Sequence, residues 1–303
     1  MTLIAILVAL LAERLNENLT KLRVRTCFAC WVKAVRGWPA MQSRQDWADL
    51  LVLVVPVGLT AALAAWLGSF WFGVPGLLFA IVVLFLTLHP RHINPHLEAY
   101  LEARELNDDN AARREAQFLL EDAVPESVED EVREVADAVL LGGLTQVFAV
   151  LFWFVILGPA GAMLYRLAWQ LCRREDLAED EASKPAGWRE RLLAILEWLP
   201  ARLMAGLFLL VGAWDKGMKA WREPRIVQPH ENEDTWAQET HALLKAVGRG
   251  AINAESQVVC EVDSNECLIT HAGLVISARA VVLRAIIAGI AIVALATLAG
   301  WVA

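Results

Sequence analysis

LTQVFAVLFWFVILGPAGAMLY, residues 144–165, is the stretch that decides the fold class. It contains no ionised side chain, and about 20 mostly apolar residues allow a helix to cross the hydrocarbon layer of a bilayer. Gly158 and Pro159 lie inside the stretch, where such a pair predicts a break in the helix. We therefore predict a broken membrane helix whose second part, residues 162–171, re-enters the membrane.

Other apolar blocks have comparable length. Residues 50–70 and the slightly shorter block 285–302 contain no ionised side chain. Residues 72–88 form a shorter block, and residues 192–213 contain Glu197, Pro200 and Arg202. The 303-residue chain is 57% hydrophobic and 20% charged, with a mean hydropathy of +0.45, so its apolar residues are concentrated in blocks. These features predict an all-α polytopic membrane protein with about 5 crossings, joined to charged cytoplasmic amphipathic helices.

The distribution of basic residues predicts the orientation, because Lys and Arg collect in short cytoplasmic segments. The C-terminus is expected in the periplasm, since Arg279 and Arg284 precede the last apolar block. Residues 166–191 are also basic, and the break at Gly158 with re-entry of residues 162–171 would place them on the cytoplasmic side. A similar break at Pro200 would then restore the parity of the crossings. The N-terminal region is predicted to lie on the cytoplasmic side of a bacterial inner membrane because it contains the basic residues Arg14, Lys21, Arg23, Arg25, Lys33, Arg36 and Arg44.

The order of charged and apolar blocks predicts six segments. Residues 1–12 are apolar but too short to span, and they lack the basic start and cleavage site of a signal peptide, so we predict a re-entrant or buried helix. The segments are an N-terminal short membrane helix and basic interfacial helix (1–48), a membrane hairpin (49–88), charged cytoplasmic helices (89–138), membrane helices broken at Gly-Pro and Pro (139–213), a soluble segment (214–280) and a C-terminal membrane helix (281–303).

The charged segments show helical signals. Asn94 and Pro95 predict a helix start, and residues 107–110 predict a bend or a second cap. A valine stripe runs at helical spacing into the membrane block that follows. Residues 236–247 predict a helix, whereas Val258, Val259, Val262 and Ile269 could pair as small strands. The acidic cytoplasmic helices are suited to binding protein partners.

Ionisable groups within membrane segments are costly and usually face a partner or a wet cavity. Glu197 and Arg202 are such groups, although Trp198 and Pro200 beside them would also suit a turn at the level of the lipid headgroups. The predicted ligand cavity comprises Gly158, Pro159, Gly161, Tyr165, Arg166, Glu197 and Arg202.

The sequence gives little indication of a metal site or of nucleic-acid binding. Cys27 and Cys30 have the spacing of a zinc or redox half-site, but both also fit the apolar side of a basic helix on the inner leaflet. The net charge of −8 excludes a generally basic nucleic-acid binder. Phosphate-loop, dinucleotide-binding, zinc-protease and nucleophile-elbow motifs are missing, and no cofactor is predicted.

Nearly the whole chain resembles the AmpE family of inner-membrane proteins, within the wider AmpE/CbiB superfamily. The resemblance rests on LVALLAERL (residues 7–15), residues 96–114, residues 151–166 and WLPARL (residues 198–203). Residues 96–114 are similar to the cytoplasmic helix of that family, and they supply His96, Tyr100, Asp108 and Arg113 as further candidate residues.

The CbiB branch consists of cobalamin-pathway amide synthases, whose pattern has acidic and amide residues on both sides of the Leu-Phe-Trp motif. This chain departs from the pattern with Leu141, Gly142 and Thr145 before the motif and Trp169 and Cys172 after it. Such side chains cannot serve as a general acid or base. The resemblance therefore implies a scaffold without synthase chemistry.

Three hypotheses follow from these patterns. The resemblance to AmpE implies a non-enzymatic regulatory protein that takes part in sensing recycled cell-wall peptides and inducing a chromosomal β-lactamase. A membrane enzyme or ligand-binding protein related to the CbiB synthases is the alternative. The third is a structural subunit of a homo-oligomer whose spans pack through small residues such as Ala285 and Gly289.

Overall fold

The computed structural model describes residues 5–9, 11, 45–69, 74–88, 94–120, 124–172, 187–223, 235–252 and 266–299. All regular secondary structure in these ranges is helical, which confirms the all-α prediction.

The strand predicted at Ile269 is wrong, because this residue lies in a helix. Residues 266–272 contain neither Pro nor Gly to end that helix. Val258, Val259 and Val262 lie outside the described residues, as does most of the predicted basic interfacial helix.

Helices account for most of the described residues. Residues 5–9 are also helical. The longer helices are α1 (Gln45–Gly68), α2 (Val74–Thr87), α3 (Asn94–Glu105), α4 (Asp109–Leu120), α5 (Val128–Gly142), a π-helical turn (Gly143–Phe148), α6 (Ala149–Leu157), α7 (Pro159–Cys172), α8 (Trp188–Val211), α9 (Trp214–Arg222), α10 (Thr235–Ala251) and α11 (Glu266–Leu298).

Within the described ranges, 4 helical stretches are long and apolar enough to cross a membrane: Asp49–Gly68, Val128–Leu157, Trp188–Val211 and Gly273–Leu298. The predicted block 72–88 corresponds to α2, which has 14 residues. Large apolar side chains on the candidate spans are exposed, among them Leu59, Ile287 and Leu298. Such surfaces fit contact with lipid, and the chain is a multi-pass membrane protein. The exact number of crossings stays a prediction.

Gly158 ends the candidate span Val128–Leu157 earlier than the apolar pattern suggested. Its φ of 67° is left-handed, a conformation that glycine adopts without steric penalty. Pro159 then begins α7, at a helix position where a missing N–H is harmless. The helix is therefore broken where predicted, but residues 144–165 do not form one span. The long helix is Val128–Leu157, and α7 packs against α6.

The second predicted break, at Pro200, is wrong because α8 continues through this residue from Trp188 to Val211. Proline has no N–H, so it leaves the carbonyl oxygen four residues earlier, that of Leu196, without its usual helical donor. The indole Nε1 of Trp153 donates a hydrogen bond to that oxygen at 3.0 Å. A side chain of α6 thus satisfies the carbonyl that Pro200 frees.

The described residues divide into two compact units. Unit 1 contains those within Met1–Leu88, Ala149–Leu196 and Ile292–Ala303, and unit 2 contains those within His89–Phe148 and Glu197–Ala291. In unit 1, α7 packs against α1, α2 and α6. In unit 2, α3 packs against α4, α4 against α5, and α10 against α5 and α9. The six predicted segments remain a prediction.

The turn between α3 and α4 combines both features predicted for residues 107–110. Asn107 has a φ of 55°, a left-handed conformation that asparagine tolerates better than most residues. Asp108 Oδ1 accepts a hydrogen bond from the backbone N–H of Ala111 at 3.0 Å, and so caps α4. The chain reverses at Asn107, and a new helix starts directly after it.

The predicted valine stripe lies on the buried side of α5. Val132, Val135 and Val139 are all buried, and α5 runs without a break through the π-helical turn into α6. Gly143 opens that turn, and a Cβ added there would lie 2.4 Å from Val282 Cγ1 of α11. The charged helix thus continues directly into a span, as predicted.

Candidate functional site

A cluster of buried charges around Arg104 joins α3, α4 and α5 in unit 2. The Arg104 side chain is 4% exposed, and its guanidinium lies 2.5 Å from Glu131 Oε1 and 2.8 Å from Asp109 Oδ1. Its Nε also donates to the hydroxyl oxygen of Tyr100 at 3.3 Å. Tyr100 was predicted as a candidate residue, whereas Arg104 and Glu131 were not.

The environment of this cluster shifts two pKa values. Burial raises the pKa of Tyr100 to about 12, although Arg104 opposes the shift. Burial alone would lower the pKa of Arg104, but its hydrogen bonds to Glu131 and Tyr100 outweigh that effect and raise it. Arg104 therefore stays charged and Tyr100 stays protonated at neutral pH.

Arg113 extends the cluster to the connection between α4 and α5. Its Nη2 donates to the carbonyl oxygens of Pro125 and Glu126 at 2.9 and 3.2 Å, and its Nε lies 3.8 Å from Glu131 Oε2. The predicted residue Arg113 thus holds the start of α5 in place.

His96 forms a separate pair on α3 and α4. Its Nδ1 lies 2.8 Å from Glu115 Oε2, and its ring stacks on Phe118 with centroids 4.9 Å apart. The side chain is 39% exposed, so this pair contacts solvent, in contrast to Arg104 and Glu131.

Glu197 lies on the candidate span α8 and is 2% exposed. Its Oε2 is 2.8 Å from His241 Nε2 of α10, so the partner expected for this carboxylate is a histidine that the sequence analysis missed.

Arg202 lies one helical turn after Trp198 on α8. Its guanidinium stacks 4.1 Å from the centre of the Trp198 ring, and it donates to the Trp198 carbonyl oxygen at 3.3 Å. Arg202 is a half-exposed residue held against its own helix.

The last charge before the apolar run of α5 is Asp137, which also binds α10. The Arg249 guanidinium donates to both Asp137 carboxylate oxygens, with 2.7 Å between Nε and Oδ1. This hydrogen bond raises the pKa of Arg249. Asp137 is buried although it carries a charge. Its place directly before an apolar run was the sequence signal that could have identified it.

The other predicted cavity residues belong to unit 1. Gly158 and Pro159 form the α6–α7 turn, and Gly161 lies so close to α6 that an added Cβ would be 2.3 Å from the Trp153 carbonyl oxygen. Tyr165 and Arg166 are buried on α7. The Arg166 guanidinium lies 4.5 Å from the centre of the Trp169 ring.

Unit 1 also contains an ion pair that the sequence analysis missed. Arg189 Nε lies 3.6 Å from Asp49 Oδ2, and the Asp49 side chain is 1% exposed. Predicted cavity residues occur in both units, and a common cavity stays a prediction.

The metal-site candidates Cys27 and Cys30 lie outside the described ranges. Within those ranges, no group of three His, Cys, Asp or Glu side chains is arranged to hold a metal ion.

The polar contacts described in unit 2 are mainly charge pairs between helices. Glu131, Asp137 and Glu197 are buried carboxylates, and each is bound by Arg or His from another helix. Removing one partner of such a pair is strongly destabilising because it leaves a buried charge. Two of these pairs join α10 to α5 and to α8.

Comparisons with known proteins identify several relatives of this chain. The chain is 31% identical over 257 residues to "Cobalamin biosynthesis protein CobD" of Chromobacterium violaceum, covering 81% of this chain and 78% of the relative. A protein of the same name from Stutzerimonas stutzeri is 31% identical over 196 residues, covering 64% and 61%. "Protein AmpE" of Shigella flexneri is 28% identical over 178 residues, covering 55% and 61%.

No solved structure matches the chain. The sequence profile of the family described as "Regulatory signalling modulator protein AmpE" matches residues 1–231, a range that includes the α6–α7 hairpin and the Arg104 cluster. The chain therefore belongs to the AmpE family.

Proposed function

We propose that this protein is a non-enzymatic regulator of the bacterial inner membrane that takes part in cell-wall peptide sensing and in β-lactamase induction. The observation that carries the proposal is the family match over residues 1–231, to a family described as regulatory signalling modulators. The relative named AmpE supports the same assignment. The N-terminal region would be cytoplasmic and the C-terminus periplasmic, which reporter fusions at both ends would test.

The charge pairs of α10 suggest how a membrane event would reach the cytoplasmic helices. His241 binds Glu197 of the span α8, and Arg249, two turns further, binds Asp137 of α5. A shift of either span would therefore change a pair on α10, since buried ion pairs have strict geometric requirements. The acidic surface of α3 and α4 would then present the altered state to a protein partner.

A deletion strain complemented with variants tests this function. Deletion should change β-lactamase induction by a β-lactam, and the wild-type gene should restore it. Glu197→Gln keeps the shape of the side chain but loses the charge that binds His241, so it should restore induction poorly at equal protein abundance.

Glu239→Gln is the matched control, because Glu239 is exposed on α10 and its substitution removes the same charge. Induction that is unchanged in the deletion strain with every inducer would contradict the proposal.

A second candidate function is a membrane enzyme related to the CobD proteins. It is favoured by the 31% identity over 81% of this chain to a relative named for cobalamin biosynthesis. Expression of this chain in a strain that lacks its own CobD distinguishes the two. Growth without added cobalamin would support the enzyme and contradict a purely regulatory protein.

A further inference from the structure

Helix α9, Trp214–Arg222, begins shortly after the candidate span α8 ends at Val211. Its sequence WDKGMKAWR contains three cations and one acid, in a chain whose net charge is −8. Trp214 begins the helix, and Trp221 lies near its end. Neither the family match nor the proposed regulation assigns a role to this basic helix.

Contacts at two glycines fix which face of α9 is buried. A Cβ added to Gly217 would lie 2.5 Å from Leu209 Cδ2 of α8, and one added to Gly250 of α10 would lie 3.0 Å from the Gly217 Cα. Only glycine permits such close approach of two backbones. The Gly217 face is therefore held against α8 and α10 and cannot rotate outward.

The face opposite Gly217 carries the charges. Successive helix residues differ by about 100° around the axis, which places Lys216, Lys219 and Arg222, together with Asp215, on one arc centred opposite Gly217. All four are exposed. A neighbouring arc consists of Trp214, Met218 and Trp221, of which Trp214 is 50% exposed. An apolar arc beside a basic arc is typical of a helix at a membrane surface.

Contacts of α10 indicate the depth of α9 relative to the bilayer. On α5, charged residues end at Asp137, and no charged residue follows until Arg166. Arg249 of α10 binds Asp137, and a Cβ added to Gly248 would lie 2.6 Å from Leu140. This part of α10 is therefore at the boundary between the charged and apolar parts of α5, and it is also the part that contacts Gly217.

We propose that the exposed basic face of α9 binds the headgroups of anionic phospholipids. Lys and Arg side chains near a membrane surface are attracted to anionic lipids, and tryptophan is favoured at the same depth. Lysine can extend its charged end to the headgroups while its methylene chain remains against apolar surface. The adjoining span and the boundary depth favour a lipid surface over a soluble acidic protein as the occupant.

The experiment uses the full chain in phosphatidylcholine nanodiscs that contain a photoactivatable headgroup analogue of either phosphatidylglycerol or phosphatidylcholine. Mass spectrometry then measures labelling of residues 214–222. We expect the phosphatidylglycerol analogue to label this helix more strongly, by on the order of tenfold, since each cation favours anionic lipid by roughly fivefold. The ratio of labelling by the phosphatidylglycerol analogue to labelling by the phosphatidylcholine analogue should decrease in about 0.5 M salt, where charges are screened.

Two double variants make the test specific. Lys216→Gln/Lys219→Gln should bring the labelling ratio close to one, and Lys216→Arg/Lys219→Arg should preserve it. Arg114→Gln/Arg133→Gln removes the same charge from exposed positions on α4 and α5 and should leave the ratio unchanged. Equal labelling by both analogues in the wild type, or a ratio that is insensitive to loss of Lys216 and Lys219, would overturn the proposal.

Discussion

The α6–α7 hairpin of unit 1 and the Arg104 cluster of unit 2 are stabilised in different ways. The hairpin depends on close contact, since Gly161 leaves no room for a Cβ beside the Trp153 carbonyl. The cluster depends on charge, since Arg104 binds Glu131 in a site where both side chains are almost completely buried. One is an apolar contact between neighbouring helices, and the other is an ionic contact across 27 residues of sequence.

The exposed side chains of the two regions differ: α6 exposes the apolar Ile156 and Leu157, which fits contact with lipid, whereas α3 and α4 expose mainly charged side chains, which fits contact with water. Between lipid-facing helices the hydrophobic effect gives little preference for protein over lipid, so close packing and small residues decide the contact. Helices that meet water are brought together by burial of apolar surface. Buried ion pairs then add strict geometric requirements to the contact. The hairpin should therefore be sensitive to volume, and the cluster to loss of charge.

Arg104→Met should give the largest effect. It leaves Glu131 buried without its main partner, and we expect the free energy of unfolding to decrease by about 3–5 kcal/mol. Denaturant unfolding of the full chain in mild detergent measures this. Arg133→Met is the control, because its pair with Asp130 is more than half exposed and contributes about 0–1 kcal/mol.

The double variant Arg104→Met/Glu131→Leu sharpens this prediction. It removes both buried charges, so much of the lost stability should return. A single Arg104→Met variant as stable as the wild type would show that charge does not hold the cluster.

Gly161→Ala tests the hairpin. The new Cβ would meet a backbone oxygen at 2.3 Å and Leu157 Cβ at 2.6 Å, and the resulting overpacking should destabilise the chain by about 2–3 kcal/mol. Gly58→Ala on α1 is the matched control, because no atom lies within 4 Å of its added Cβ. That control should be neutral or slightly stabilising, by up to about 1 kcal/mol, because alanine favours helix.

Trp153→Phe tests the hydrogen bond that compensates for Pro200. The Leu196 carbonyl oxygen would lose the donor shown at 3.0 Å, and we expect a loss of about 1–2 kcal/mol. Pro200→Ala restores a backbone N–H at the position that normally donates to this oxygen. The same Trp153→Phe change should therefore have a smaller effect in the Pro200→Ala background. Equal losses in both backgrounds would argue against the compensation.

The prediction for pH concerns Tyr100, whose pKa is raised to about 12 from its ordinary value of 10.0. Because the folded chain holds this proton more tightly, the associated stability is fully present below pH 10 and is lost as the pH rises through about 12. Ultraviolet titration of a Tyr165→Phe variant, which leaves Tyr100 as the remaining tyrosine, should show late ionisation. Ionisation near pH 10 in the folded chain would place Tyr100 in contact with water.

The sequence alone determined the membrane class, the helical course of the charged segments and the break at Gly158. These properties depend on local composition and backbone preferences: apolar length, the spacing of Val132, Val135 and Val139, and the conformational freedom of glycine. The cap at Asp108 was predictable for the same reason.

Only the tertiary structure decided what happens at Pro200 and which groups bind the buried charges. Pro200 remains inside a helix because Trp153, 43 residues from Leu196, supplies the missing donor. Glu197 and His241 are 44 residues apart, and Asp137 and Arg249 are 112 apart. Local patterns identify a residue that needs a partner, but the partner is chosen by how distant helices pack, which short-range sequence preferences do not encode.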